Sequence, residues 1–474
     1  MTANESLRLS LQVKDLLHTD LSGAFLSHLP LERLEIHART ANPHCRDRVF
    51  TPSNTILTML LSATQEDKSQ QNAVNMFKSA LELRRQSAVL AESELLQAAR
   101  LKASSSPRKP GRPGKYQSRL PKSYCSELSD STAAYSKSRK KLDASLFRMV
   151  YEHSADFGSL DRESWHGMKT YITDGTYLQL QDTPDIKSRY ASGQGSSYPQ
   201  GLLQAFVRQG SGQISQYCLG SRQQSELELV VPMIKNLEKG SLLLADDLYS
   251  TYYHFCLVRS RGSHIIVPGK RARKCEAVRQ LGEGDQIVEI PRTKCPDYVG
   301  EEEWASLPDS MRMRRIEYAY PTKNGMEQAV LYTTITDEKI KASEIIAKYA
   351  MRWDIEISIR EIKTIMDISV LRSKSAEMLG KELSMALAAY NLVRKLIAES
   401  ADKIGFPPQG DIFQKCGPFG RGLLLDKRGR VFFKWSPGRL GRADEADWKA
   451  EGRGQERKAK ALPKENKAGQ IQKI

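Results

Sequence analysis

Three features are missing from this 474-residue sequence. It has no uninterrupted run of about 18 apolar residues, so it predicts no transmembrane helix. Its N-terminus has no basic region followed by an apolar stretch, so we expect no secretory signal. Its seven cysteines form no Cys-x-x-Cys pair, which argues against a disulfide framework and against a zinc ribbon. These absences favour a cytoplasmic protein, and the length predicts two or three domains.

Acidic residues are too few to balance the basic ones. The chain has 72 Lys and Arg against 56 Asp and Glu, which gives a formal net charge of +16. Such an excess favours nucleic acid as a partner, because each neutralised phosphate releases condensed counterions. The alternative is a basic protein without a polyanionic partner, and charge alone does not decide between the two. The excess is concentrated between Arg100 and Lys141, where 12 basic residues stand against two acidic ones.

The most basic part of the chain also has the composition of a linker. Residues 100–123 are rich in Ser, Pro, Gly and basic residues and cannot bury a core. Within them, Pro110-Gly111-Arg112-Pro113 resembles the AT-hook, whose Gly-Arg-Pro core inserts Arg into the narrow minor groove of A·T-rich DNA. The AT-hook has a second Arg where this chain has Pro110, and a solvated basic linker is the alternative. Either way, the segment predicts contact with the DNA backbone through Arg108, Lys109, Arg112 and Lys115.

Hydrophobic periodicity divides the rest of the chain into helical and strand-like parts. The first 100 residues have helical spacing, with Pro52 at one predicted helix start and Ser69 as the predicted cap of the next helix. From Tyr171 the pattern predicts strands, which are followed by two helices. The predicted strands are 171–180, a hairpin over 201–220 that turns at 210–212, 241–245, 264–267, 286–290, 315–320 and 329–335, and the predicted helices are 342–366 and 376–399.

A polar stripe is predicted on the helix 342–366. At about 100° per residue, a continuous helix places Tyr349, Arg352, Glu356 and Lys363 within an arc of roughly 60°. Isoleucines flank this arc, which favours an inward-facing site over an ordinary solvated face. Metal-assisted cleavage of a phosphodiester requires a few convergent carboxylates, and Glu356 is a candidate for one of them. Arg352 and Lys363 are candidates for holding phosphates, Arg as a planar fork and Lys as a point charge.

The other candidate carboxylates are predicted on strands. Asp174 lies inside the strand 171–180, where an acid is costly unless it is paired or bound to metal. Asp246 follows the apolar run 241–245, at the carboxyl edge where open sheets flanked by helices tend to place ligands. The alternative for Asp246 is an N-cap of the helix that follows. Because successive strand residues face opposite ways, only one of Asp246 and Asp247 can point at the same metal.

These residues carry a resemblance to a known family. The spacing of Tyr349, Arg352, Glu356 and Lys363 is similar to the signature of bacterial insertion-sequence transposases of the insertion sequence four (IS4) family. Asp174-Gly175-Thr176 resembles that family's first acidic segment, and Leu243-Leu244-Ala245-Asp246 resembles the second. The resemblance covers roughly residues 45–400.

The resemblance implies an α/β fold. Its parts are a ribonuclease-H-like catalytic core, in which helices flank a mixed sheet, a β-rich insertion and an α-helical N-terminal domain. The implied divisions are a helical DNA-binding region over 1–160 with the basic linker at about 100–123, the first part of the core over 161–260, the insertion over 261–340, the second part of the core with the Glu356 helix over 341–400, and a basic, largely disordered tail over 401–474.

The resemblance also implies a reaction. Asp174, Asp246 and Glu356 are implied to bind two Mg²⁺ ions, for which Mn²⁺ can substitute, while Tyr349, Arg352 and Lys363 hold phosphates of the element end. The implied activity is cut-and-paste transposition by a synaptic homodimer, which cleaves double-stranded DNA at terminal inverted repeats and joins the 3′-hydroxyl ends to target DNA, without a membrane partner. An aromatic residue near the β insertion is implied to hold a flipped base, and the candidates are Trp304, Tyr318, Tyr320 and Tyr332.

One departure from the family keeps an alternative open. Close relatives commonly have Arg where this chain has Asp247, and an extra negative charge there raises a neighbouring carboxylate pKa or weakens DNA contact. This departure favours a decayed copy that binds DNA as a regulator without cutting it. The presence of all three acids and the whole stripe favours the enzyme. The stripe also argues against a third alternative, a hydrolytic nuclease on the same fold.

Overall fold

The computed structural model describes residues 21–403 except 42–48, 66, 83–130, 163, 191, 193–197, 270–272, 323–324 and 365, and also the short strands Leu423–Leu425 and Val431–Phe433. The linker residues Arg108, Lys109, Arg112 and Lys115 and most of the predicted tail lie outside these ranges. Within the ranges, no helix combines the length and the apolar character that a membrane span requires.

The helices begin where local capping chemistry allows. They are α1 (residues 21–27), α2 (Leu31–Ala41), α3 (Pro52–Ala63), α4 (residues 70–82), α5 (Ala133–Lys141), α6 (Ala144–Ser154), α7 (Pro184–Lys187), α8 (Glu226–Lys235), α9 (Tyr252–Ser260), α10 (Glu301–Ala305), α11 (Ala342–Ala350), α12 (Asp354–Thr364) and α13 (Ala376–Lys403). The predicted start at Pro52 is confirmed, because the Thr51 side chain accepts from the backbone N–H of Asn54 at 3.2 Å. The predicted cap at Ser69 is also confirmed, since its hydroxyl accepts from the Asn72 N–H at 3.1 Å.

A mixed sheet forms the centre of the molecule. Its strands are β1 (Thr170–Gln179), β2 (Gln200–Arg208), β3 (Ile214–Ser221), β4 (Leu242–Leu244), β5 (His264–Pro268), β6 (Glu276–Gly282), β7 (Asp285–Pro291), β8 (Ser310–Thr322) and β9 (Gly325–Thr333). They are ordered β3-β2-β1-β4-β5-β9-β8-β7-β6. Strands β1, β4 and β5 are parallel, whereas the remaining neighbours pair antiparallel. The predicted hairpin is confirmed as β2–β3, whose turn contains Gly210 and Gly212 at positive φ.

Apolar side chains alternate between the two faces of the sheet and form two clusters. Leu242 and Leu244 of β4 belong to the first cluster, and Leu243 belongs to the second. Helices α3, α6, α12 and α13 contribute to the first cluster, and α8 and α9 contribute to the second. Helices therefore cover both faces of the sheet, and the predicted burial of β4 on both of its faces is confirmed.

The prediction of one continuous helix over 342–366 is wrong. Helix α11 ends at Ala350, a 3₁₀ turn spans Met351–Trp353, and α12 begins at Asp354. A straight helix would place Ile345 about 80° to 100° around the axis from Ile355 and Ile362. All three isoleucines are buried in the first cluster, which an apolar helix face of ordinary width allows. Because the 3₁₀ turn interrupts the helix, the predicted arc of four polar residues does not lie on a single helix.

The strands after β5 extend the same sheet. Strand β9 pairs antiparallel with β5, and β8, β7 and β6 follow outward. The strands predicted between residues 264 and 335 are confirmed as β5, β7, β8 and β9. Strand β6 has no predicted counterpart, because its side chains are mostly exposed and lack apolar alternation. The division of the chain into domains stays a prediction.

Candidate active site

Asp174 and Asp246 are brought to neighbouring positions at the carboxyl end of β4, called the sheet edge below, because β1 and β4 are parallel neighbours. Ile172 of β1 is in register with Leu244 of β4, and each aspartate lies two residues further along. Strand alternation places Asp174 on the face of Ile172, which belongs to the first apolar cluster. The prediction of Asp174 inside a strand and Asp246 just after one is confirmed.

Asp246 is held by the turn that it begins. Its Oδ1 atom accepts from the N–H of Leu248 at 3.0 Å and caps the 3₁₀ turn Asp247–Tyr249. The following helix α9 is capped by Thr251 instead. Burial raises the pKa of Asp246, the charge of Asp247 raises it further, and the Arg352 guanidinium acts in the opposite direction. Asp247 itself is exposed. Both aspartates lie beyond the end of β4, so the strand alternation assumed for them does not apply.

A fourth acid, Glu226, lies beside this pair. Burial is the main cause that raises its pKa, and the negative charges of Asp174 and Asp246 add to it. The phenol of Tyr249 donates to Glu226 Oε2 at 3.0 Å and partly offsets these effects. The sequence offers no direct sign of this contact. Ser225-Glu226-Leu227-Glu228 has the pattern of a capping box, which predicts only that a helix starts there.

Two residues of the predicted stripe approach Asp246 from α11 and the following turn. Arg352 donates to the phenol of Tyr349, whose pKa is raised chiefly by burial and to a smaller extent by the nearby Asp246. The Arg352 guanidinium also lies 5.1 Å from the ring centroid of Trp353, which is 61% exposed. The structure thus brings Tyr349 and Arg352 to the acids, with an exposed indole beside them.

Helix α12 carries the rest of the stripe. It contacts β1, the strand of Asp174, and Glu361 anchors it through an ion pair with the buried Arg394 of α13. The backbone of Glu356 lies in the first turn of α12, but its side chain is outside the described part. Lys363 is half-buried and lies about 10 Å further along the helix axis than Glu356.

The donor chemistry of this edge fits a divalent cation. Carboxylate oxygens are the ligands that Mg²⁺ and Mn²⁺ accept. Among the side chains that are described, which do not include Glu356, no three His, Cys, Asp or Glu already stand close enough to hold an ion. The described charges acting on Glu226 are both negative, so the acids repel one another and a cation between them relieves that repulsion.

The four aromatic candidates for a flipped base occupy different environments. Tyr332 is fully buried, and Trp304 packs against Tyr252 in the second cluster, with ring centroids 6.1 Å apart. Tyr318 lies near Tyr349, and its ring centroid is 6.0 Å from that of Tyr320, which is 40% exposed. Of the four, Tyr318 and Tyr320 are therefore the pair on the side of the acids.

Comparison with known proteins agrees with this chemistry. Residues 165–392 match the family "Transposase DDE domain". The chain is 26% identical over 324 residues to the transposase InsG for insertion sequence element IS4 of Escherichia coli K12, which covers 65% of this chain and 70% of that protein. It is also 26% identical over 103 residues to the transposase for insertion sequence element IS421 of Escherichia coli, covering 22% of this chain and 27% of that protein.

Among solved structures, the piggyBac transposase synaptic complex with hairpin DNA aligns over 86% of this chain and 78% of that one, at 11% identity and a TM-score of 0.36. A score this low places no constraint on the site. The family match spans Asp174, Asp246 and Glu356, and the IS4 relative extends the similarity across most of the chain. The chain is therefore a transposase of the DDE type, a metal-dependent enzyme, and it is similar to the transposase of insertion sequence element IS4.

Proposed function

We propose that this transposase cuts and rejoins DNA at the sheet edge where Asp174, Asp246 and Glu356 converge. The observation that carries the proposal is the parallel register of β1 and β4, which brings two distant aspartates to one edge. Contact between α12 and β1 supports the placement of Glu356 on the same side. The mixed sheet with helices on both faces is the architecture expected of a ribonuclease-H-like core, formed by residues 161–260 and 341–400 around the strands of 261–340.

The three acids are proposed to hold two Mg²⁺ ions, which Mn²⁺ replaces. When bound, such ions activate the attacking water or hydroxyl and stabilise charge on the attacking and leaving oxygens. The chain's own residues position the DNA. Arg352 offers a planar fork for a phosphate, and the phenol of Tyr349, whose pKa is raised further by burial, is a neutral hydrogen-bond donor. Lys363 provides a positive charge further along α12 for a neighbouring phosphate.

The substrate is proposed to be the terminal inverted repeats of a bacterial element, followed by a target duplex, which places the enzyme's work on the nucleoid in the cytoplasm. Two copies hold the two element ends together before strand transfer. Pairing of ends is checked by a gel-shift assay with one short and one long end fragment. Complexes that contain both fragments support the dimer, whereas complexes that contain only one fragment argue against it.

The basic linker is proposed to bind the DNA backbone. Neutralising Arg108, Lys109, Arg112 and Lys115 together is expected to weaken binding and to flatten the plot of log affinity against log salt concentration by roughly 0.9 per lost phosphate contact. The measurement is fluorescence anisotropy with a labelled end duplex over a range of salt concentrations. An unchanged slope would show that the linker does not touch DNA.

Cleavage of a labelled duplex that carries an element end tests the function as a whole. The assay compares Mg²⁺, Mn²⁺ and EDTA, with the wild type beside Glu356→Gln. Nicking at the element boundary that requires metal and is lost in the variant is the expected result. Binding without cleavage by either protein would instead support the decayed regulator, and reversion of Asp247 to Arg would then be the first change to make.

A further inference from the structure

Glu226 is brought to the acidic edge by the helix layer opposite to α12. It is the first residue of α8, whose buried residues Val230, Met233 and Ile234 belong to the second apolar cluster. Asp174 faces the first cluster, where α12 packs. Asp174 and Asp246 therefore lie between two helix layers. Glu226 approaches them from one layer, and helix α12 lies in the other.

A glycine makes the approach of Glu226 possible. Gly175 follows Asp174 in β1, and a Cβ atom placed on it would lie 2.5 Å from Glu226 Cδ and 2.7 Å and 2.8 Å from its two carboxylate oxygens. No side chain fits in that space unless the carboxylate moves. The glycine therefore lets a carboxylate pack directly on the backbone of the strand that carries Asp174, one residue after the aspartate.

A polar network holds the Glu226 carboxylate in this place. Tyr249 donates to its Oε2 at 3.0 Å, and Gln204 donates to the Tyr249 oxygen and to the hydroxyl of Thr173, both at 2.7 Å. The start of α8 is held as well, because Nε2 of the buried His254 lies 3.0 Å from the carbonyl oxygen of Leu227. Every member of the network is neutral except the carboxylate itself, so the network orients its charge without cancelling it.

No basic side chain among the described residues acts on the Glu226 carboxylate. The described charges that act on it are Asp174 and Asp246, both negative. A half-buried carboxylate in this setting is costly unless an external cation compensates for it. Three carboxylates leave two divalent ions with a net charge of +1, and a fourth carboxylate brings that sum to zero.

We propose that Glu226 is a fourth acidic residue of the metal centre and supplies negative charge beside Asp174 and Asp246 that strengthens the binding of divalent cations. This inference rests on the proposed function, in which those aspartates bind metal. Gly175, Tyr249 and Gln204 are positioning residues for Glu226. The first acidic segment thus contributes the Asp174 ligand and, through Gly175, room for a second acid.

Binding of Mn²⁺ alone to the full-length protein, without DNA, tests this inference by isothermal titration calorimetry. Glu226→Gln keeps the shape of the side chain and its acceptor for Tyr249, and it is expected to weaken Mn²⁺ binding by roughly tenfold or more. The matched control is Glu228→Gln, which removes the same charge from the same helix turn, where the side chain bonds to Gln224. The control is expected to bind Mn²⁺ within about twofold of the wild type.

Two further variants separate the possible outcomes. Glu226→Asp keeps the charge and is expected to restore part of the lost affinity, which a purely structural role in packing α8 would not produce. Asp174→Asn is expected to weaken Mn²⁺ binding at least as much as Glu226→Gln. Weakened binding in Asp174→Asn with unchanged binding in Glu226→Gln overturns this inference and leaves the proposed function intact. Unchanged binding in both overturns the metal site of the proposed function itself.

Discussion

Two regions of the molecule bury acids in opposite ways. In the outer strands, Arg314 of β8 holds Asp285 of β7 through two hydrogen bonds of 2.8 Å and 2.6 Å. The guanidinium also donates to the carbonyls of Asp337 and Ile340, at 3.0 Å and 2.7 Å. Arg314 is 2% exposed and Asp285 is 7% exposed. This charge is compensated entirely within the chain.

The balance is different beside the carboxyl end of β4, where Asp246 follows the strand and Asp174 lies on the neighbouring β1. Asp246 and Glu226 are half-buried, their pKa values are raised chiefly by burial, and negative neighbours raise them further. The cation acting on Asp246 is Arg352, which is also engaged with Tyr349. The contrast distinguishes an acid whose charge is compensated within the chain from acids whose charge, in the proposed function, is compensated by a bound metal ion.

Removing one carboxylate from the sheet edge is expected to have the largest effect. Asp246→Asn should lower the cleavage rate by about 10³-fold or more, because positioned metal ions contribute several kcal/mol to stabilising the transition state. DNA binding should remain within about twofold of wild type, since phosphate contacts are made by basic groups. The measurements are cleavage of a labelled end duplex and anisotropy with the same duplex.

The matched control for this prediction is the neighbouring acid. Asp247→Asn removes an equal charge one residue away, from a side chain that is exposed, and it should retain cleavage. Full activity of Asp246→Asn would show that Asp246 is not part of the active site. Loss of activity in both variants would indicate that cleavage depends on the structure of the 3₁₀ turn Asp247–Tyr249 and not on the Asp246 carboxylate.

Breaking the compensated pair is expected to affect stability instead. Arg314→Met leaves Asp285 buried without its cation and should lower the free energy of unfolding by about 3–5 kcal/mol. Urea denaturation followed by circular dichroism measures the change. Combining Arg314→Met with Asp285→Leu should recover most of the loss, because no charge is then left buried. A loss below about 1 kcal/mol in the single variant would mean that Asp285 reaches water, and the contrast between the two regions would fail.

The sequence predicts the aspartates of the site better than their surroundings. An acid inside a β-rich segment and an acid after a short apolar run are local signals, so Asp174 and Asp246 are predicted together with their strands. Glu226 precedes Asp246 by 20 residues, and only the pairing of β1 with β4 and the packing of α8 bring it close. Its local pattern predicts a helix start and says nothing about its neighbours.

The polar stripe illustrates another limit of sequence patterns. The spacing of Tyr349, Arg352, Glu356 and Lys363 predicts the similarity to IS4 transposases that the comparisons find, although a 3₁₀ turn interrupts the helix used to explain it. A short 3₁₀ turn leaves the apolar pattern of the sequence recognisable. One tighter turn changes the angle between the residues on either side of it, but the apolar residues stay at the same sequence positions. The turn becomes visible only in the structure, where α11 ends at Ala350 and α12 begins at Asp354.

The pH dependence of stability is expected to give the smallest effect and the most direct test of the contrast. Asp246→Asn retains an N-cap acceptor, so the comparison with wild type isolates the charge. Because the folded pKa of Asp246 is raised above its ordinary value of 3.8, the carboxyl group favours the folded state fully at pH values below 3.8. That contribution is lost as the pH rises through the folded pKa. In EDTA at neutral pH the variant should therefore be at least as stable as the wild type.

Added Mn²⁺ should reverse that order, because a bound cation favours the charged carboxylate and stabilises only the protein that binds it. The measurement is the urea midpoint of both proteins from pH 4 to pH 8, in EDTA and in Mn²⁺. If the wild type were the more stable protein at neutral pH in EDTA, the negative charge of Asp246 would have to be compensated by a basic group of the chain, as the charge of Asp285 is. Asp246 would then belong to a second structural ion pair, and its charge would not require a metal ion.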